Sequence, residues 1–361
     1  MSITSIRTRC LAWYQSTPLP ILPDAPPTFQ AWHTFDESIG KWTRLQTSSP
    51  PQQREQIFDT QSSEATSEPT SLPTLTLATW NVDAFGESHE ARMEGIVSKL
   101  RDLQHPPDII FLQEVSPKAL TCILNNTWIR QGWMLSDIDD TSWAGVQFAT
   151  LTLLSRGRFN GTPDPSTSAD SSLFSAGPIW RVNYPSRFKR DALCCDVFHH
   201  NARIRLVNVH LDSLPIQPNQ RPRQVEIAAQ LIRQAGVDYG LVAGDFNPVS
   251  AEDVTVISDN GLVDAWEATH PGEDGFTWGL AGSGAPFPPG RFDKVAVVGL
   301  RPKWVEVIPA GLTSTAEELG EIGAPQGEGK RGPDTREDSG QIPWSDHSGV
   351  LAELKLAPVG R

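Results

Sequence analysis

Residues 239–253 read YGLVAGDFNPVSAED. The apolar run Leu241-Val242-Ala243 stops abruptly at Gly244-Asp245-Phe246-Asn247. Successive rather than alternating apolar residues mark a strand covered on both faces. Asp and Asn disfavour strands and Pro248 has no N–H to give a ladder, so the strand ends here. Residues two apart on an extended chain face the same side. Asp245 and Asn247 therefore point together off the end of a rigid strand, where they can hold a reactive water and a substrate oxygen. An ordinary Asx turn would account for the same residues.

Four other segments end or begin strands in polar residues in the same way. ATWNVDAF ends at Asn81 and Asp83, DIIFLQEV at Gln113 and Glu114, and LVNVHLDS at His210 and Asp212. IPWSDHSGV places Asp346 and His347 just before a strand. Together these can build one cleft at one edge of a rigid scaffold, where catalytic groups usually sit. Carboxylates, carboxamides and imidazoles without a thiol suit a hard, oxygen-loving cation, Mg²⁺ or in its place Mn²⁺. Mg²⁺ keeps several waters and takes one or two protein carboxylates, so a lone Glu114 would suffice. Zinc needs three or four N or S ligands and finds a weaker set in His210 and His347. The two histidines can also donate to a charged non-bridging oxygen.

Outward from these segments, strands outnumber helices. EARMEGIVSKLRDL, SPKALTCILNN and RQVEIAAQLIRQAG show helical spacing, the last ending at Gly236, and SAEDVTVISDNG reads as one short helix. DALCCDVF and IRLVNVHLD form a hairpin through HHNA, and RFDKVAVVG, WVEVIPAGL and HSGVLAELKL are late strands. Frequent hairpins argue against a doubly wound parallel sheet. The expected fold is α/β of the α+β type, a four-layer sandwich of two mixed β-sheets flanked by helices, over residues 75–361. Low-complexity loop insertions are expected near 157–178 and 316–340. Residues 1–74, rich in Pro, Ser, Thr and Gln, are expected to be mostly disordered. Within them Trp32, Phe35, Trp42 and Leu45 alternate around DESIGK, so 28–45 reads as a hairpin that can dock as an extra sheet edge.

The formal charge of −13 argues against a general, salt-driven grip on nucleic acid. It leaves room for a local basic groove and suits a site that gathers cations. Cys10, Cys122, Cys194 and Cys195 show no disulfide-like spacing, which implies a reducing compartment, nucleus or cytoplasm. No apolar run approaches the roughly 18 residues of a membrane span. A monomer without membrane contact is the expectation.

TWNVD, LQEV, HLDS, GDFN, RFDKV and SDHSGV occur in that order. Together they resemble the endonuclease/exonuclease/phosphatase superfamily over roughly residues 75–357. Within it, ATWNVD, LVDAWE, FTWG and RFDKV look most like the type 2 tyrosyl-DNA phosphodiesterases. The resemblance implies that Glu114 ligates Mg²⁺ directly, with Asn81 beside it and Asp346 holding a metal water. It implies that Asp245 orients and deprotonates the attacking water while Asn247 fixes it. His347, steadied by Asp293, and His210 would contact the phosphate. Trp278 and Phe276 would wall a nucleotide or the tyrosyl group, and Arg190, Arg221, Arg223 and Arg291 would contact the DNA backbone. The implied activity is Mg²⁺-dependent hydrolysis of a DNA 5′ end carrying a tyrosyl adduct, in DNA repair.

Each assignment has a plainer counterpart. Asp293 can pair with Arg291 or Lys294, Asp83 can cap a turn, and Asp212 can be structural. Trp278 and Phe276 can be core, Asp137–Asp140 a solvated loop, and His199 and His200 an exposed turn. The sequence departs from the phosphodiesterase pattern at LPIQPNQRPRQ after HLDS and at PVSAED after GDFN. That leaves another phosphoester hydrolase of the superfamily in play, such as an apurinic endonuclease or an inositol or sphingolipid phosphatase. A non-catalytic binder is a different class. It would be favoured by a missing Glu or Asp in the core set, and none is missing.

Overall fold

The computed structural model describes residues 26–45, 73–160, 173–280, 287–313 and 341–357. Its strands are β1 (Thr28–Gln30), β2 (His33–Asp36), β3 (Lys41–Arg44), β4 (Thr74–Asn81), β5 (Ile109–Val115), β6 (Trp133–Leu135), β7 (Ala149–Ser155) and β8 (Phe159–Asn160). Then follow β9 (Phe174–Asn183), β10 (Asp191–His199), β11 (Ala202–His210), β12 (Tyr239–Asp245), β13 (Val263–Asp264), β14 (Asp293–Val298), β15 (Leu300–Ile308) and β16 (Gly349–Leu356). They form two eight-stranded sheets. One runs β1-β9-β10-β11-β12-β14-β13 with β8 beside β9, the other β15-β16-β4-β5-β7-β6-β2-β3. Both are mixed: β4–β5, β8–β9 and β11–β12 are parallel, the hairpin β10–β11 antiparallel.

The unbroken apolar run of β12 has a direct explanation. Leu241 and Ala243 enter the core between the sheets, whereas Val242 faces the opposite way, into the core beneath the helix Arg221–Leu231. In β5, Ile109 and Phe111 likewise point between the sheets, and Ile110 and Leu112 pack under the helices His89–Arg101 and Pro117–Asn125. Helix, sheet, sheet and helix make the four layers. Ser116 caps the second of these helices by accepting from the Ala119 amide at 3.2 Å. The helix expected to reach Gly236 ends at Leu231. Residues 250–261 divide into a 3₁₀ turn, Ala251–Asp253, and a helix, Val256–Asp259. Asp253 is drawn inward by the buried Arg221 at 2.9 Å and caps the Ser250 amide, which closes the first turn by itself.

Residues 28–45 pair into both sheets. β1 lies on β9 and the β2–β3 hairpin on β6, so the chain crosses from one sheet to the other between Gln30 and His33. Trp32 fills the crossing point, wholly buried, and its Nε1 donates to the Gly177 carbonyl at 2.9 Å. Trp32→Ala is expected to cost about 3–5 kcal/mol, the usual loss for a large buried aromatic. Denaturant melts check this, and an unchanged midpoint would mean the segment is only loosely attached. The low-complexity stretch expected at 157–178 is narrower than expected, because β8 and the first residues of β9 fall within it, with Phe159 and Phe174 buried in the inter-sheet core. Residues 161–172, and the segments 1–25, 46–72 and 316–340, lie outside the described residues. Asp137, expected in a solvated loop, is buried against Arg181 at 3.0 Å.

Candidate active site

The parallel pairs β4–β5 and β11–β12 bring their C-terminal ends to one edge of the sandwich. In register, Asn81 lies beside Gln113, His210 beside Asp245, and Asp245 beside Asp293. Gly244 makes the middle of this row possible. It sits at φ +139°, and a Cβ there would lie 1.9 Å from the Val209 carbonyl oxygen. Only glycine lets β11 approach closely enough to set His210 beside Asp245. Beneath the row, Gln113 Nε2 donates to Asn208 Oδ1 at 2.8 Å and Asn208 Nδ2 to the Leu151 carbonyl at 3.0 Å. This buried amide pair ties one sheet to the other. At the surface of the row, Asn81 Nδ2 from one sheet donates to Asp245 Oδ2 from the other at 3.0 Å.

Asp245 is the hub. Its Oδ2 accepts from Asn81 and from Asn247 Nδ2 at 3.1 Å, and its Oδ1 accepts from the Asn247 amide at 2.9 Å. Asn247 holds this position in the left-handed region, φ +46°, which Asn tolerates. Burial pushes the Asp245 carboxyl up to about 7; His347 and the N–H donors pull against burial, and Asp293 adds to it. His347 Nδ1 lies 2.8 Å from Asp293 Oδ2, and its Nε2 lies 3.9 Å from Asp245 Oδ2. Burial alone would discharge this imidazole, but the Asp293 and Asp245 carboxylates outweigh it and raise it to about 10. Burial, with Arg190 and His347, holds His210 well below the ordinary histidine range. The 3.5 and 3.6 Å contacts of His210 Nε2 with Asp245 and Glu114 are therefore not ion pairs. Among the described residues that buried nitrogen has no hydrogen-bond partner, so it is available to an incoming group.

Glu114 sits where β5 bulges against β7, between Leu112 and Val115, with φ +58°. A left-handed glutamate stores on the order of 1–3 kcal/mol and aims its side chain off the ladder. Its Oε2 accepts from the Ala84 amide at 3.0 Å. Burial raises the Glu114 carboxyl against the pull of Arg190, the Ala84 amide and His347, and the Asp346 carboxylate adds a smaller upward push. Asp83 is raised in the same way, by burial and then by Asp346. Hard oxygen donors on Glu114 and Asp346 suit a divalent cation, which would favour their ionised forms. Among the described residues, the ligand atoms that lie within 4.8 Å of one another are those of Asp245, Asp293 and His347. There the His347 imidazole, raised to about 10, offsets part of the carboxylate charge.

A cleft of about 820 Å³ opens beside Glu114 and His210. Phe85, Phe148 and Phe188 wall it, and Arg187, Lys189 and Arg190 make it basic in an acidic chain. The Arg190 guanidinium lies 4.9 Å from the Phe148 ring centre and 5.5 Å from that of Phe188. Arg190, expected from the sequence to contact the DNA backbone, lines this cleft. Trp278 stacks on Phe292 at 4.8 Å and donates from Nε1 to Asp346 Oδ2 at 3.1 Å, directly beside the polar row. Phe276, Arg223 and Arg291 do not line the cleft. Arg291 is held by Asp264 at 2.8 Å and Glu267 at 2.9 Å, and the exposed Arg223 pairs with Glu226 one helical turn away. Arg221 is buried and structural. Asp83 accepts from the Phe85 and Gly86 amides and pairs with Arg92, and Asp212 is bound by Ser186 and Gln224. Both serve loop structure.

Sequence reasoning missed several residues. Thr277 Oγ1 donates to Asp293 Oδ2 at 2.7 Å and accepts the Asp293 amide at 3.0 Å, so it aims the carboxylate at His347. Ser345 Oγ donates to the Asn81 carbonyl at 2.6 Å and accepts the His347 amide at 3.1 Å. The buried Arg92 joins the loop after β4 to the loop before β16, donating to the Val82 carbonyl at 2.6 Å and the Trp344 carbonyl at 2.8 Å. The motif FTWG contains Thr277 and the motif SDHSGV contains Ser345. Nothing in the sequence singles out Arg92, Phe148 or Phe188.

Two mixed sheets flanked by helices, with acids, amides and imidazoles gathered at one edge, define a phosphoesterase fold. The chain belongs to the Endonuclease/Exonuclease/phosphatase family, whose profile matches residues 78–347. Members hydrolyse phosphoester bonds. Among solved structures, the chain is similar to D. rerio TDP2 humanized by 14 mutations, at 18% identity over 78% of this chain and 99% of that one, TM-score 0.55. The same figures hold for D. rerio TDP2 complexed with single strand DNA product. Truncated Caenorhabditis elegans TDP2 is similar at 21% identity over 78% of this chain and 98% of that one, TM-score 0.55. A search of curated proteins finds no match.

Proposed function

We propose that this protein is a Mg²⁺-dependent phosphodiesterase that hydrolyses a 5′-tyrosyl–DNA linkage. The observation that carries this reading is the junction of the Asp245 hub with a basic cleft walled by phenylalanines. The hub suits water attack on phosphorus. The cleft suits an aromatic group bonded to that phosphorus and the anionic strand attached to it. The subfamily resemblance of the motifs supports the same substrate, and the likeness in fold to a TDP2 structure that holds single strand DNA product supports its DNA part.

Asp245 in its ionised form, which the N–H groups of Asn81 and Asn247 favour against burial, takes the proton of the attacking water. His347, its Nδ1–H fixed on Asp293, turns Nε2–H toward the site to donate to a non-bridging phosphate oxygen. The neutral His210 donates a second hydrogen bond from Nε2. Glu114, Asn81 and Asp346 would hold a cation, which would supply charge neutralisation at the phosphate. The P–O bond to tyrosine breaks as the water oxygen bonds to phosphorus. A phenol with a pKa of about 10 leaves without a strong acid, giving tyrosine and a 5′-phosphate.

The pH profile has a sign. An essential base must be ionised and an essential donor protonated, so kcat/KM should rise with pH as Asp245 ionises, at or below about 7, and fall as His347 deprotonates near 10. A bound cation favours the ionised carboxylate and shifts the rising limb downward. A profile flat between about pH 4 and 9 at saturating Mg²⁺ would remove Asp245 as the base.

The deciding assay presents purified protein and Mg²⁺ with a 5′-tyrosyl oligonucleotide, an abasic duplex and inositol phosphates in parallel, with and without EDTA. Release of tyrosine from the first, abolished by EDTA, supports the proposal. Cleavage of only the abasic duplex or the inositol phosphates would transfer the protein to another branch of the family. Undiminished binding of substrate in EDTA with no hydrolysis in Mg²⁺ would mark a binder.

A further inference from the structure

Arg181 lies on β9, 3% exposed, behind the cleft rather than in it. Its guanidinium reaches both cleft walls. Nη1 donates to Asp191 at 3.2 and 3.3 Å and to Thr150 Oγ1 at 3.1 Å, and Nη2 donates to the Thr150 carbonyl at 2.9 Å. Thr150 continues the wall that carries Phe148, on one sheet; Asp191 continues the wall that carries Arg190, on the other. Nη2 also donates to the buried Asp137 at 3.0 Å. Asp137 is shared with the N-terminal segment: Gln30 Nε2 on β1 donates to the Ser136 carbonyl at 2.9 Å and to Asp137 Oδ2 at 3.4 Å. Ser136 and Ser142 hydroxyls bind the same carboxylate.

We infer that Arg181 is a positioning residue for the substrate's aromatic end. By bonding both walls at once it fixes the gap between Phe148 and Arg190, and Gln30 locks that arrangement from the N-terminal segment. A planar guanidinium with five donors can hold two carboxylates, a hydroxyl and a carbonyl together, whereas an ammonium with three donors on a flexible stem cannot. The stacked contact of Arg190 over Phe148 depends on that gap, because ring–cation attraction falls away beyond about 6 Å. The cleft as the substrate's seat rests on the function proposed above; the gap itself does not.

The test uses two readouts on the full chain. Spin labels at Gln147→Cys and Lys189→Cys, on opposite walls, with Cys10 and Cys122 changed to Ser, report the gap by pulsed dipolar spectroscopy. Arg181→Lys keeps the buried positive charge and is expected to broaden the distance distribution. Steady-state kinetics on the unlabelled variant should show KM for the 5′-tyrosyl oligonucleotide raised about tenfold with kcat little changed, the pattern of lost uniform binding. Gln30→Met is half-buried and milder, and should broaden the same distribution less. It decides the matter if circular dichroism shows Arg181→Lys unfolded. An unchanged distribution in every variant that folds overturns the inference. So does a broadened distribution with KM and kcat both unchanged. If the wild type releases no tyrosine, the function proposed above fails, and the label distances still judge the gap.

Discussion

Asp245→Asn is expected to lose roughly 10²–10⁴-fold in turnover, the scale of a positioned general base, while binding Mg²⁺ and substrate. The structure adds a cost that the turn chemistry of GDFN does not suggest. Three N–H groups converge on the carboxylate, from Asn81 and twice from Asn247. An amide in its place must turn its own NH₂ toward one of them, leaving a buried donor against a donor. Such a group costs about 1–3 kcal/mol, so the variant should be less stable as well as inactive. Thermal melts therefore accompany the single-turnover rates. Asn247→Ala should lose a comparable share of turnover, because it removes the side-chain donor of the three while the backbone N–H remains, with less effect on Mg²⁺ binding than a change at Glu114. A near-normal rate for Asp245→Asn would reduce GDFN to an ordinary turn.

Glu114→Gln is expected to lose roughly 10²–10³-fold in kcat, the scale of removing one preorganised electrostatic group, together with Mg²⁺ affinity. The shape is kept, so the Ala84 amide retains an acceptor and the fold should survive. Calorimetric titration with Mg²⁺ or Mn²⁺ separates two placements of the cation. Affinity lost in Glu114→Gln and kept in Asp293→Asn assigns the ion to the Glu114 side. The reverse assigns it to Asp245, Asp293 and His347. An active Glu114→Gln protein at ordinary Mg²⁺ would remove Glu114 from the site.

The layered architecture was legible because periodicity reports burial. The runs LVAG and IIFL are apolar on consecutive positions, and both faces of β12 and β5 are covered. The polar row was legible because its members end or begin strands, and the ends of parallel strands share an edge with the starts of their antiparallel neighbours. Local sequence by itself therefore determined the strands, the principal helices, the edge at which they end and most of the residues gathered there. Tertiary structure alone decided how the row closes. The approach that needs Gly244, the bulge that turns Glu114 outward and the aiming of Asp293 by Thr277 all depend on partners distant in sequence. The cleft has the same origin. Phe148 comes from the loop before β7, Phe188 and Arg190 from the loop between β9 and β10, neither with any periodicity, and a basic pocket arises in a chain of charge −13. Arg291 and Arg223 show the reverse: a sequence shows a cation's charge, but only the fold shows which carboxylate lies beside it.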